Sequence, residues 1–183
     1  GIRSGKSLYA SCAAVHQALT CDLSHLGPGE IPRVSIVSLT KDLAQVVFSH
    51  LVGRISASPL LRGFQVGRVG ADTVRLRHPT GREVEIKVVA GSRAGASLVA
   101  RWSAGCIFDE FPRMVGGSEG VVNWDDSRDA VLLRLLPGCQ LIHIGSPWAP
   151  FGPAYTMFAT YFGKPTTNLV VIKAPSPDMN PVY

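Results

Sequence analysis

The chain has 183 residues, of which 46% are hydrophobic and 17% are charged, so it can bury one substantial core and has the size of a single globular domain. Its formal net charge of +5 is only a weak sign of a polyanionic partner, because the arginines are spread along the chain. The sequence contains neither an apolar run long enough to cross a membrane nor a signal-peptide layout, so we expect a soluble intracellular protein.

The first third of the chain predicts a helix followed by a strand–helix unit. From Ser7 to about Leu19, apolar residues recur at the spacing of one buried helix face, formed by Leu8, Cys12, Val15 and Leu19. The segment from Arg33 to Leu39 is rich in β-branched residues and predicts a buried strand. Thr40 can cap the next helix. The expected core residues of that helix are Leu43, Val46, Val47 and Leu51.

The remainder predicts a hairpin and then more strands and helices. Between Phe64 and Val89 the hydrophobic period is two, and residues 78–81 have turn chemistry, which indicates an antiparallel hairpin. One strand ends at Phe108, and a helix from Asp125 to Leu136 and a strand over 140–144 follow. A short apolar strand over 169–172 precedes a proline-rich tail. The pattern predicts an α/β fold with a mainly parallel sheet, flanking helices and an appended antiparallel hairpin.

The opening residues Gly-Ile-Arg-Ser-Gly-Lys-Ser fit the end of the phosphate-loop (Walker A) pattern G-x-x-x-x-G-K-[ST], whose first glycine would lie just before Gly1. Gly5 lets backbone N–H groups converge on phosphate oxygens at the start of a helix. Lys6 would reach the β and γ phosphates of ATP, and the Ser7 hydroxyl would ligate Mg²⁺. The strand that usually precedes such a loop is expected to be missing. The predicted nucleotide-binding residues are Gly1, Arg3, Ser4, Gly5, Lys6 and Ser7.

A second motif ends the strand Gly105–Phe108, where Asp109 and Glu110 stand side by side in a Walker B arrangement. Asp109 would hold the Mg²⁺ ion, and Glu110 would activate the water that attacks the γ-phosphate. Ser146 follows the next predicted strand and could sense the γ-phosphate from the tip of that strand. A pair of solvated acids and a simple strand-ending turn are the alternatives for these two features.

Taken together, these motifs resemble the ATPase domain of the large terminase subunit of tailed bacteriophages. Members of that family often have an arginine in the phosphate loop, matched here by Arg3. Adjacent Asp and Glu after the Walker B strand are matched by Asp109 and Glu110, and a Ser/Thr-Pro coupling motif is matched by Ser146 and Pro147. The resemblance spans nearly the whole chain. It also includes Trp148, Gly152, Tyr155, the segment 34–51 and the closing segment 174–181.

The resemblance implies a P-loop NTPase fold of the ASCE type, in which ATP hydrolysis drives double-stranded DNA into a procapsid. Lys6 and Glu110 would be catalytic, Ser7 and Asp109 would hold Mg²⁺, and Ser146 would couple hydrolysis to DNA movement. The implied partners are double-stranded DNA, a portal protein, a small terminase subunit and further copies of the chain in a ring. The implied location is the cytoplasm of a bacterial host.

The family also implies limits and further candidates. A neighbouring copy in a ring could supply an arginine finger, for which Arg93 and Arg101 are candidates; Arg3 is another candidate for charge stabilisation. Residues 1–174 would form an N-terminally truncated ATPase domain, and residues 175–183 would begin a linker toward an absent nuclease domain. DNA cleavage by this chain is not expected, since Asp125, Asp126 and Asp129 are better explained as helix caps and solvated charge.

Two rival hypotheses remain open. A helicase of the DEAD-like class shares Gly-Lys-Ser/Thr and Asp-Glu, but its acids usually continue as Asp-Glu-x-His, whereas Phe111 and Pro112 follow here. A non-catalytic fragment that binds DNA or a partner without turning over ATP is the rival from another class.

The other residues that often carry chemistry are predicted to be structural. The four cysteines form no C-x-x-C pair and are expected to be reduced core residues; they are Cys12, Cys21, Cys106 and Cys139. The histidines lack metal-ligand spacing, so no zinc site is predicted, and His143 is expected to be a satisfied core or edge residue. Packing is the favoured role for Trp102, Trp124 and Trp148.

Overall fold

A computed structural model describes residues 5–91, 94–115, 122–175 and 178. The helices are α1 (Lys6–Thr20), α2 (Lys41–Ala57), α3 (Pro59–Phe64), α4 (Ala94–Leu98), α5 (Trp124–Leu132) and α6 (Pro153–Tyr161). The strands are β1 (Arg33–Ser38), β2 (Gln65–Val66), β3 (Thr73–Arg77), β4 (Glu83–Ala90), β5 (Ser103–Phe108) and β6 (Leu141–His143). A 3-10 turn, Phe111–Arg113, follows β5.

The strands described form one sheet in the order β2-β3-β4-β1-β5-β6. The four strands β4, β1, β5 and β6 are parallel, and β2 and β3 continue the sheet in antiparallel pairing. The β3–β4 hairpin closes through a turn in which His78 N donates to Arg82 O at 2.7 Å. These pairings confirm the predicted α/β class, the mainly parallel sheet and the appended hairpin.

Two hydrophobic clusters cover the two faces of the sheet, because alternate residues of a strand point to opposite faces. In β5, Ile107 belongs to the first cluster, whereas Cys106 and Phe108 belong to the second. The first cluster includes the buried faces of α1 and α2. The second cluster is smaller and contains the 3-10 turn residue Phe111 and Trp124 of α5.

Helix α1 packs through a face that overlaps only in part with the one predicted, since Val15 is buried and Leu19 is partly buried against the core. Its completely buried apolar residues are Ala10, Ala14 and Ala18, while Cys12 is exposed and Leu8 is only partly buried. Small residues let a helix approach a sheet more closely than large residues do, so the alanines of α1 lie nearest the sheet. The approach is tight where α1 crosses β5. A Cβ on Gly105 would lie 1.3 Å from the Gln17 side-chain oxygen.

Four other sequence expectations need correction. In α2, Val47 and Leu51 are buried as predicted, but Leu43 and Val46 are 40% and 51% exposed because the helix turns its Ala44–Phe48–Ile55 side inward. Of the four cysteines, Cys21 and Cys106 are buried, Cys139 is half-buried and Cys12 is exposed.

Helix α5 ends at Leu132 rather than Leu136, because Leu136 N donates to Ser103 O at 2.9 Å and thereby joins the sheet region. The segment 169–172 forms no strand in the described structure and remains largely exposed. Over the ranges the structure covers, none of the helices has the length and apolarity required to cross a membrane.

Candidate functional site

The start of α1 lies beside the carboxyl ends of the parallel strands. Gly5 precedes the helix with φ +81°, a left-handed conformation that favours glycine, and its carbonyl accepts from Tyr9 N at 2.8 Å. Lys6 and Ser7 begin the helix and are both half-buried. Gly1, Arg3 and Ser4 lie outside the described residues. The local geometry therefore supplies the sharp turn and the helix N-terminus that the phosphate-loop prediction requires.

Asp109 is the buried member of the acidic pair, with a relative exposure of 4%. Its backbone N–H donates to Val37 O at 2.8 Å, and its carboxylate accepts from Ser38 Oγ at 3.3 Å. Burial raises the pKa of Asp109, the charge of Glu110 raises it further, and the hydrogen bond from Ser38 and the charge of Lys6 act in the opposite direction. Because burial disfavours the ionised form of this carboxylate, a bound cation would stabilise it. Asp109 is therefore suited to act as a Mg²⁺ ligand.

Glu110 has an unusual backbone conformation, φ 55° and ψ 35°, which makes it the one non-glycine residue with positive φ in the described part of the chain. Ile144 bonds the backbone on both sides of the acidic pair. Its N–H donates to Phe108 O at 3.0 Å, and its carbonyl accepts from Phe111 N at 2.9 Å. The Asp109–Glu110 segment therefore projects from the sheet between two fixed points. Positive φ in a non-glycine residue is common at functional sites.

The residue after Ile144 adds a steric constraint. A Cβ on Gly145 would lie 2.1 Å from Pro112 Cδ, so only glycine lets the two segments approach this closely. The ring of Phe111 in the turn also contacts His143 of β6, with 4.4 Å between the ring centroids. The β6 end and the turn after β5 thus form one closely packed unit.

Lys6 Nζ donates a hydrogen bond to Ser146 Oγ at 3.1 Å. Because Lys6 also interacts electrostatically with Asp109, the structure brings the three predicted motifs together at one edge of the sheet. Parallel strands place their carboxyl ends at a common edge, where ligands of open α/β sheets bind. A phosphate group could be contacted here by the lysine, the serine and backbone N–H groups of the helix start.

Of the two arginine-finger candidates, Arg101 is the one in the described part of the chain, and it does not lie at this edge of the sheet. Arg101 precedes β5 and therefore lies at the opposite, amino-terminal ends of the strands. Its Nε is 3.9 Å from Glu85 Oε1, and a second nitrogen donates to Ile31 O at 3.3 Å. A role of Arg101 on the phosphate of a neighbouring copy stays a prediction. Arg93 lies outside the described residues.

Two features of the site were missed at the level of sequence. Ser38 ends β1 beside the Asp109 strand, and a polar residue closing a buried strand was the available signal. His143 was expected to have its hydrogen-bonding groups paired, and Trp124 was expected to have a packing role. Both expectations hold, since Trp124 is buried and its Nε1 donates to His143 Nε2 at 3.0 Å, but their closeness to the acidic pair was not foreseen. Trp148, in contrast, is 48% exposed, so packing covers only about half of its surface.

Metal binding by histidine is not indicated by the geometry. Within residues 5–91, 94–115, 122–175 and 178, no three His, Cys, Asp or Glu side chains are grouped so that they could hold a metal ion. Asp125 and Asp126 lie in the first turn of α5, whose N-cap is Asn123, in agreement with the capping interpretation.

Comparison with solved structures identifies the fold. A large terminase of a thermophilic bacteriophage, crystallised with ADP, superimposes over 100% of this chain with a TM-score of 0.65 and 18% identity. The large terminase ATPase domain of Thermus phage P74-26 covers 81% of the chain with a TM-score of 0.56 and 16% identity. The chain has the large-terminase ATPase fold. The large terminase of bacteriophage HK97 also matches, over 80% of the chain, with a TM-score of 0.53 and 16% identity.

The resemblance drawn from the motifs is thus confirmed for the fold. The chain spans 40% of the ADP-bound terminase, 58% of the P74-26 ATPase domain and 28% of the HK97 terminase, so it corresponds to part of each. No protein-family model matches the sequence, and no curated protein sequence matches it.

Proposed function

We propose that this chain is the ATPase part of a DNA-packaging motor, which hydrolyses ATP to move double-stranded viral DNA into a procapsid. The observation that carries the proposal is the contact between Lys6 and Ser146 beside the buried Asp109. It unites residues that were singled out separately as phosphate-binding, phosphate-sensing and magnesium-binding. The large-terminase fold, seen elsewhere with ADP bound, supports the same conclusion.

In the proposed reaction, Gly1, Arg3, Ser4 and Gly5 contribute the phosphate loop, and Lys6 contacts the β and γ phosphates. Ser7 and Asp109 would hold Mg²⁺, which when bound neutralises charge on the phosphates. Glu110 orients a water molecule and accepts its proton as the oxygen attacks the γ-phosphorus. The bond between that phosphorus and the β–γ bridging oxygen breaks, and ADP and inorganic phosphate are released.

Ser146 is the proposed link between hydrolysis and DNA movement, since it touches Lys6 and follows β6. DNA would be held mainly through its phosphates, so that binding weakens as salt is raised. The proposed assembly is a homo-oligomeric ring on a portal protein, served by a small terminase subunit in the cytoplasm of a bacterial host. An arginine from a neighbouring copy, Arg93 or Arg101, would complete the phosphate site.

The experiment is Mg²⁺-dependent ATP hydrolysis by the purified protein, measured with and without double-stranded DNA. Lys6→Ala should abolish turnover by weakening nucleotide binding, and Glu110→Gln should reduce turnover to a small residual rate while leaving binding intact. Lys164→Ala, a change at an exposed lysine outside the site, is the matched control and should be neutral.

Three results would count against the proposal. Turnover that survives Lys6→Ala would contradict the phosphate-loop assignment. Nucleotide binding without any turnover by the folded protein would favour the non-catalytic alternative. Strand separation coupled to turnover would favour the helicase alternative.

A further inference from the structure

The backbone of Glu110 is held in its left-handed conformation by the segment that follows it. Phe111, the next residue, is hydrogen-bonded to Ile144 and its ring is buried, with 5% exposure. The planar peptide unit between the two residues couples their Cα positions, so packing that anchors the Phe111 side chain and its Cα also restricts the Cα of Glu110. The position of the Glu110 carboxylate therefore depends on what fixes the ring of Phe111.

An aromatic cluster fixes that ring. The centroid of the Phe111 ring lies 4.4 Å from that of His143 and 5.1 Å from that of Trp124. His143 is also stacked on Phe108, with 5.2 Å between centroids and 6° between planes. Phe108 and Phe111 flank the acidic pair, so the imidazole of His143 contacts the residues on both sides of it.

The imidazole orientation is itself fixed by a directional bond. Trp124 Nε1 donates to His143 Nε2 at 3.0 Å, so Nε2 must carry a lone pair and the ring proton must be on Nδ1. Trp124 is in turn covered by the Arg128 guanidinium, whose carbon lies 4.6 Å from the indole centroid. A hydrogen bond within an aromatic cluster selects one ring arrangement where packing alone would allow several.

We propose that His143 and Trp124 are positioning residues for Glu110: their hydrogen bond sets the ring of Phe111 and thereby aims the Glu110 carboxylate. The inference rests on the proposed function, in which Glu110 orients the attacking water. In this proposal, His143 and Trp124 contact neither the nucleotide nor the attacking water. They act by keeping the carboxylate within the narrow range of positions that proton transfer requires.

Misplacing a catalytic group by about 1 Å can cost roughly 100-fold in rate without changing substrate affinity. Loss of the Trp124–His143 bond should therefore lower kcat and spare nucleotide binding. A purely structural role would instead lower stability and affect binding and turnover together.

The test uses the full-length protein and compares Trp124→Phe, His143→Leu and His143→Gln. Steady-state ATP hydrolysis with DNA gives kcat and KM, and titration with a fluorescent ADP analogue gives Kd. Trp124→Phe and His143→Leu should lower kcat roughly 10- to 100-fold with Kd unchanged. His143→Gln should recover part of the loss, because its side-chain oxygen can accept the indole N–H.

Trp102→Phe is the matched control. The Trp102 indole also donates a hydrogen bond, to Glu30 Oε1 at 3.0 Å, but it lies beside the amino end of β5, away from the acidic pair. The same chemical change at Trp102 should leave kcat as it is. If it lowers kcat as much as Trp124→Phe does, the proposed positioning is overturned.

A double variant separates this inference from the proposed function. In a Glu110→Gln background, His143→Leu and Trp124→Phe should cause no further loss of the residual rate, because the group they aim is already gone. An equal loss in both backgrounds, or an unchanged kcat in the single variants, would overturn the positioning role. Absence of turnover in the unaltered protein, or a Glu110→Gln variant of normal rate, would overturn the proposed function instead. If His143→Leu does not fold, Trp124→Phe and His143→Gln carry the test.

Discussion

Lys6 Nζ lies 3.1 Å from Ser146 Oγ, although 140 positions separate the two residues in the chain. The lysine begins α1, and the serine follows the end of β6. The bond connects the residue proposed to hold the phosphates with the residue proposed to report their hydrolysis. A displacement of the Lys6 side chain would therefore be transmitted directly to the end of β6, where Ser146 lies.

Replacement of Ser146 by alanine should separate nucleotide binding from turnover. The hydrogen bond from the Lys6 amino group involves a charged donor and contributes about 1.5–3 kcal/mol, so its loss should change nucleotide affinity by no more than about 150-fold. Turnover and its stimulation by DNA should fall further, because the proposed link is gone. The measurements are Kd for an ADP analogue and DNA-stimulated kcat. Ser49→Ala, on the exposed side of α2, is the control, and equal losses in Kd and kcat would contradict the coupling role.

Asp109→Asn should stabilise the nucleotide-free protein while abolishing hydrolysis. The pKa of Asp109 is raised, chiefly by burial, so its ionised form destabilises the fold as the pH rises through the range between its ordinary value and its folded value. A neutral side chain of the same shape removes that cost, and we expect a gain of about 0.5–2 kcal/mol. Urea unfolding in Mg²⁺-free buffer at neutral pH measures it.

The contrasting control is Asp125→Asn, which removes an exposed carboxylate from the first turn of α5. That change should destabilise slightly, because an acidic residue is favourable near a helix N-terminus. A destabilised Asp109→Asn protein would show that the carboxylate contributes more through Ser38 and Lys6 than burial costs it.

Gly145→Ala should reduce hydrolysis by displacing the turn that carries Glu110. The new methyl group would meet Pro112 Cδ at 2.1 Å, a contact that requires one of the two segments to move. We expect kcat to fall at least as much as in Trp124→Phe, with a loss of stability of about 1–3 kcal/mol. Gly53→Ala, in α2 with open space around it, should instead stabilise by about 0.5–1 kcal/mol. Normal kcat in Gly145→Ala would show that the turn tolerates the shift.

The stability of the protein should fall as the solution is acidified, in part because of His143. Burial, followed by the charge of Arg128, lowers the pKa of His143 from 6.5 to about 4. Between these values the unfolded chain binds more protons than the folded chain, so stability is lost as the pH falls through that window.

From pH 7.5 to 5.5, this group alone should cost about 1.4 kcal/mol. The free energy of unfolding, compared between the unaltered protein and His143→Leu, isolates the effect from that of His78, whose pKa is also lowered by burial. The same pH dependence in both proteins would contradict the assignment.

Much of the fold could be predicted from the sequence because its signals are local. The alternation over β3 and β4 and the β-rich run of β1 each depend on neighbouring residues, and all of these elements are present. The motifs Gly5–Ser7 and Asp109–Glu110 could be predicted because nucleotide chemistry requires particular residue types at fixed spacing. That they converge could be expected as well, since parallel strands end at a common edge.

The remainder depends on contacts between distant segments. The inward face of α1 could not be predicted from its large residues, because its fit depends on Gly105 in a strand far along the chain. Arg101 is drawn to Glu85 at the other end of the sheet, and a lone arginine carries no signal of which carboxylate it will meet. The bond between Trp124 and His143 likewise exists only because α5 and β6 pack together.

Because the core is divided between the two faces of the sheet, the part of the site that carries Lys6 and the part that carries Glu110 should differ in local stability. Lys6 is carried by a helix anchored in the larger cluster, whereas Phe111 and Trp124 belong to the smaller one. Regions with fewer buried contacts open more often than the whole molecule unfolds. Amide hydrogen exchange should therefore be faster at Phe111 N than in the centre of β1. Local opening should therefore affect the half that carries Glu110 while the half that carries the lysine stays folded.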